Sequence, residues 1–88
     1  MRGVIQMINA YFLHQIKHNK KTDAWDKGIV VSAAEDADNY ASARQGYHAY
    51  LGAYAYGKNA DTDFVSCHIT DTSGEVLMDE TWVAPDGE

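Results

Sequence analysis

Four histidines and one cysteine are the residues of this sequence best suited to chemistry. His14 and His18 are four apart, a spacing that lets two histidines share a zinc ion on a helix. On a strand the same spacing separates their Cα atoms by about 13 Å, too far for one ion. Cys67 and His68 are neighbours, and neighbours on a strand point to opposite faces, so they cannot form a thiolate–imidazole pair there. Any such site therefore depends on the secondary structure of these segments.

Alternating polarity predicts strands for both segments. Residues 8–18 alternate with the period of two that is typical of a strand, whereas a competing helical pattern lacks an N-cap and leaves Leu13 on the wrong face. Residues 25–32, 62–70 and 75–83 alternate in the same way. Residues 71–74 have the composition of a tight hairpin turn with glycine in the left-handed position. The basic cluster is expected at the solvated tip of the first hairpin and comprises Lys17, His18, Lys20 and Lys21.

One long helix is predicted between the two hairpins. Ser32 and Glu35 fit a capping box, and Gly57 supplies a stop, so we expect the helix over residues 33–56. Asp38 suits the positive end of the helix dipole. The predicted order is ββαββ, an α+β fold in which a four-stranded antiparallel sheet carries one long helix packed on one face.

The length of 88 residues predicts a single domain over residues 1–88. We expect residues 1–7 to be a flexible segment or an upstream extension, with both Met1 and Met7 open as the native start, and residues 84–88 to be a frayed acidic tail. A lone cysteine excludes an internal disulfide and favours a reducing cytoplasm. Polar residues interrupt the apolar stretch near the N-terminus, so neither a signal peptide nor a membrane span is predicted.

Composition and motifs argue against several functions. The net charge of −6 opposes direct binding to nucleic acid, which requires basic residues to neutralise phosphates. The sequence has no P-loop, dinucleotide-binding glycine loop or nucleophile elbow. Asp79 and Glu80 diverge on a strand, Cys67 alternates in phase with apolar residues, and His48 stands alone on the helix. We therefore predict a protein without catalytic residues, cofactor or metal.

The predicted helix lacks a charged face, which points to contact with a partner. After Asp38 its only charged residue is Arg44. Tyrosine is enriched at interface hot spots, and two-fold homodimers are the commonest oligomers. The alternative is that the tyrosines are half-buried core and rim. The predicted interface consists of Tyr40, Arg44, Tyr47, Tyr50, Leu51 and Tyr54.

Three segments resemble small uncharacterised proteins of prophages in gut-type Firmicutes. They read Phe-Leu-His-Gln-Ile-Lys at 12–17, Trp-Asp-Lys-Gly-Ile-Val-Val at 25–31 and Tyr-His-Ala-Tyr-Leu-Gly-Ala-Tyr-Ala-Tyr-Gly at 47–57. The resemblance implies an accessory phage gene expressed in the cytoplasm of a bacterial host. It implies no activity, no catalytic residues and no fold.

Together these features predict a non-enzymatic protein–protein interaction module of phage accessory type, a homodimer or a binder of a host or phage protein. One alternative is an acidic inhibitor of a host defence nuclease, of anti-CRISPR type, that occupies a basic nucleic-acid channel. Another is a small-ligand-binding domain, with Trp25, Trp82 and the tyrosines lining a pocket between helix and sheet.

Overall fold

A computed structural model describes residues 9–85 of the chain. Its elements are β1 (Tyr11–Asn19), β2 (Ala24–Ser32), α1 (Asn39–Tyr54), β3 (Thr62–Thr70) and β4 (Val76–Val83). The sheet has the order β2-β1-β3-β4, and all neighbouring strands are antiparallel. The predicted α+β fold of order ββαββ is confirmed. The predicted extension at residues 1–7 and part of the predicted tail, residues 86–88, lie outside the described residues.

The strand predictions are close to the observed bounds. β3 covers the predicted residues, β2 begins one residue earlier than predicted and β4 one residue later. The predicted start of the first strand, Ile8, falls outside the described residues; Asn9 and Ala10 are described and precede the strand, which begins at Tyr11 and ends one residue later than predicted. In the second hairpin Gly74 has a φ of 89°, as its turn composition predicts. The Asp71 carboxylate closes this turn by accepting from the backbone N–H groups of Ser73 and Glu75 at 2.8 and 3.1 Å.

The predicted start of the helix is wrong. Ser32 still belongs to β2, where it pairs with Tyr11, so it cannot cap a helix. The helix begins at Asn39, and its N-cap is Asp38, whose carboxylate accepts from the backbone N–H of Ala41 at 2.9 Å. The residues between Ser32 and Asp38 form an exposed loop in which Asp36 adopts a φ of 58°.

A buried asparagine holds this loop in place. Asn39 accepts from the backbone N–H of Ala34 at 3.0 Å and donates to the carbonyls of Asn9 and Ala34 at 2.8 and 3.0 Å. Burying an amide side chain is costly unless its donors and acceptor are paired, and here three hydrogen bonds pair them. The side chain therefore ties the loop and the helix start to the residue segment that precedes β1.

The core lies between α1 and one side of the sheet. Every fourth residue along the helix, from Ala43 to Ala55, is buried, which forms a continuous ridge over β1 and β3. A side chain at Gly46 would come within 2.9 Å of Leu13, so this glycine allows the helix to approach the sheet closely. The buried apolar residues are Leu13, Ala43, Tyr47, Leu51, Ala55, Val65, Cys67 and Ile69.

Candidate functional site: strand β2 and the open face of the sheet

The side of the sheet opposite α1 is covered by no helix or strand of residues 9–85. Because side chains alternate along a strand, the residues between the core positions of β1 and β3 point to this side. We call this surface the open face. The strand register arranges it in four rows: Val31, Phe12 and Thr70; Ile29, His14, His68 and Asp79; Lys27, Ile16, Ser66 and Thr81; and Trp25, His18, Phe64 and Val83.

Strand β2 is the most exposed element of the sheet. All its residues except Ser32 are exposed, including three consecutive β-branched apolar residues. Ile29 and Val31 lie on the open face and are 59% and 56% exposed, whereas Val30 lies on the helix side and is 48% exposed. The helix packs mainly on β1 and β3; it also reaches β2, but the helix side of β2 stays exposed. A strand with uncovered apolar residues on both sides is typical of a contact surface.

β2 and β4 are the two edges of the sheet, so each presents one row of unpaired backbone groups. The two edges differ in charge. β2 contains one acidic and one basic residue, Asp26 and Lys27, while β4 contains two acidic residues, Asp79 and Glu80, and no basic one. The pairing of β1 with β2 is regular along its length, whereas that of β3 with β4 shifts between Ile69 and Thr70.

Two histidines meet at the centre of the open face. His14 and His68 pair across β1 and β3, and their rings stack with centroids 4.2 Å apart and planes 10° apart. His14 also contacts the Thr70 hydroxyl at 3.1 Å through Nε2. Burial and the neighbouring His68 lower the pKa of His14. Within residues 9–85 no three potential metal ligands come together, so this pair lacks the further side chains that a structural zinc site needs.

His18 joins the first hairpin to β3. Its Nδ1 lies 2.6 Å from Asp63, and its Nε2 lies 2.8 Å from Asp23, which adopts a φ of 59° in the turn. Hydrogen bonds to Asp63 and then Asp23 raise the pKa of His18. Only the imidazolium can donate from both ring nitrogens, so the protonated form is the one that fits this arrangement. The cluster braces the hairpin and offers no nucleophile.

Lys17 does not lie at the hairpin tip as predicted. It belongs to β1 on the helix side, where its ammonium lies 2.7 Å from the Asp26 carboxylate and 4.5 Å from the centre of the Tyr54 ring. Lys20 and Lys21 follow the strand and are exposed, as expected. Lys17 therefore links the helix side of β2, at Asp26, to the C-terminal end of α1, at Tyr54.

The predicted helical interface faces largely inward. Tyr47 and Leu51 are each 3% exposed and belong to the core, so they cannot contact a partner without repacking. Tyr40, Tyr50 and Tyr54 are half-buried against the core, which agrees with the core-and-rim alternative. Arg44 is exposed, with its guanidinium 4.9 Å from the Tyr40 ring. For these four residues, contact with a partner stays a prediction.

The alternation of side chains along the strands also shows where Cys67 and the two tryptophans lie. Cys67 is fully buried, as predicted, and burial raises the pKa of its thiol to about 12, so it is a poor nucleophile. Trp25 lies on the open face and Trp82 on the helix side, so the two cannot line one pocket between helix and sheet. The exposed flank of α1 carries small and polar residues such as Ser42 and Ala49.

Comparisons of the chain with protein-family models, curated proteins and solved structures give no match. The single helix found in residues 9–85 is too short and too polar to cross a membrane.

Proposed function

We propose that this chain is a non-enzymatic protein–protein interaction module that acts as a homodimer, with the second copy covering strand β2. The observation that supports this most strongly is the exposure of Ile29, Val30 and Val31 on an edge strand that stays open on both sides although α1 reaches it. The phage accessory setting and the cytoplasm of a bacterial host remain parts of the same proposal.

Burying the exposed side chains of β2 in a contact would favour association. Fully burying a valine or isoleucine side chain stabilises by about 1.5–3 kcal/mol. The side chains of Ile29, Val30 and Val31 are about half exposed. Burying the exposed part of each would therefore favour association by on the order of 1 kcal/mol. A two-fold homodimer uses the same patch on both copies, which doubles this contribution.

The acidic-inhibitor alternative has less support, because four of the thirteen acidic residues are among those that already have partners within the chain. Asp26 pairs with Lys17, Asp23 and Asp63 contact His18, and Asp71 closes a turn. These groups also lie at different ends of the sheet, whereas a mimic of nucleic acid needs a row of free charges along one surface.

Sedimentation velocity over a range of concentrations tests the proposal. The wild type is expected to shift from monomer to dimer as concentration rises, and Ile29→Asp to remain monomeric because it places a charge in the contact. Ala49→Asp, on the exposed flank of α1, adds the same charge elsewhere and should behave like the wild type. A wild type that stays monomeric throughout contradicts the homodimer.

A further inference from the structure

We infer that the second copy binds at the outer edge of β2, where the two β2 strands pair antiparallel and join two four-stranded sheets into one of eight strands. This inference rests on the proposed homodimer and specifies its geometry. Because a two-fold axis normal to the sheet relates the copies, both helices lie on the same side of the joined sheet.

The placement of Val30 favours the edge over the open face. Val30 projects to the helix side of β2, whereas Ile29 and Val31 project to the open face. A second copy laid on the open face would cover Ile29 and Val31 and leave Val30 in water. Only the edge borders both sides of the strand, so a neighbouring strand there contacts all three residues.

The backbone of β2 is suited to pairing. Within residues 9–85 no strand lies beside its outer N–H and C=O groups; β2 contains no proline, and its pairing with β1 shows no bulge that would twist the edge away. β4 is the less suitable edge, because pairing with its own copy would bring Asp79 and Glu80 close to the same residues of that copy. Like charges on adjacent strands are destabilising.

The sequence of β2 also favours one register. A two-fold axis through Val30 places Ile29 opposite Val31 of the second copy, and pairs of β-branched residues stabilise a sheet. Ala33 and Ala34, the positions that would face Lys27 and Asp26, follow β2 in the loop, so the paired segment of this register runs from Gly28 to Ser32. An axis through Gly28 would instead place Val30 opposite Asp26, an apolar side chain against a charge.

The middle of the open face is less suited to a dry contact. Its two central rows contain His14 and His68, Lys27, Asp79 and Ser66 alongside the isoleucines. Packing a second sheet on these rows would remove a lysine, an aspartate and two imidazoles from water, which costs free energy unless each finds a partner.

A pair of lysine substitutions distinguishes the two arrangements. Val30→Lys changes only the helix side of the edge, and Thr81→Lys changes the open face far from β2; both positions are exposed in the monomer. The dissociation constant of each dimer is measured by sedimentation equilibrium, with circular dichroism to verify folding. Val30→Lys is expected to raise that constant by about tenfold or more, and Thr81→Lys to leave it unchanged.

The outcomes also separate this inference from the proposed function. A dimer that survives Val30→Lys, or is lost in Thr81→Lys, overturns edge pairing while leaving the homodimer intact. A wild type without any dimer overturns both.

As an independent measurement, Val30→Cys should form a disulfide between copies under mild oxidation, because directly paired residues of antiparallel strands have Cα atoms about 4.5–5.5 Å apart. Absence of that crosslink in a dimeric sample contradicts the register.

Discussion

At the scale of single residues, the charge of His18 bears directly on how the first hairpin is held. Its two ring nitrogens face Asp63 and Asp23, and together these contacts connect the first hairpin to β3. The alternating pattern of the sequence could not reveal the contact between His18 and Asp63, because Asp63 is distant in sequence and comes close only through the register of β1 with β3. The same limit applies to the stacking of His14 on His68. Cys67 was predictable because its phase within β3 is enough to bury it.

His18→Gln should reduce stability in a pH-dependent way. The pKa of His18 is raised in the folded state, so its contribution is complete below the unfolded pKa of about 6.5 and is lost as pH rises through the folded pKa. The difference in free energy of unfolding between wild type and His18→Gln is therefore expected to be larger near pH 6 than near pH 9. Urea denaturation at both values measures it.

The matched control is His48→Gln, which removes an exposed histidine of α1. Its stability relative to wild type should change little between the same two pH values. A difference for His18→Gln that is constant or grows as pH rises would show that the imidazolium does not brace the hairpin.

At the scale of elements, periodicity was sufficient for the strands and insufficient for the helix start. Ser32 and Glu35 have the spacing of a capping box, but the cross-strand pairing of Ser32 with Tyr11 keeps it in β2. The helix begins at Asn39, directly after its N-cap Asp38. The hydrogen bond from the Asn39 side chain to the carbonyl of Asn9 depends on the folded structure, so the sequence pattern does not show it. The sequence shows that the helix has many tyrosines and few charges, but it does not decide whether the tyrosines face the sheet or a partner.

Asp38→Ala tests the observed cap. Loss of the hydrogen bond to the backbone N–H of Ala41 should lower the free energy of unfolding by about 0.5–2 kcal/mol. Glu35→Gln, in the exposed loop, should stay within about 0.5 kcal/mol of wild type. Thermal or urea denaturation of both variants gives the comparison. A larger loss for Glu35→Gln than for Asp38→Ala would restore the capping box at Ser32.

At the scale of the whole molecule, the strand order decides where apolar surface remains. Because β1 and β3 are central, the helix packs mainly on them, and the side chains of β2 stay exposed on both sides of the sheet. Strand order was not predictable from the sequence, since the four alternating segments are compatible with several orders. Of the exposed large apolar residues in the part of the chain that the structure describes, four lie on β2 and none within α1.

The net charge of −6 on each copy gives the last prediction, the response of the dimer to salt. Two copies of like charge repel, and the repulsion is screened as the Debye length falls from about 10 Å at 0.1 M to about 3 Å at 1 M salt. Apolar contact between β2 strands is not weakened by salt, so the dimer should tighten as ionic strength rises. Sedimentation equilibrium at low and high sodium chloride measures this. Binding of an acidic surface to a basic partner would weaken under the same change. A homodimer that dissociates at high salt would show that charge pairs, rather than Ile29, Val30 and Val31, hold it together.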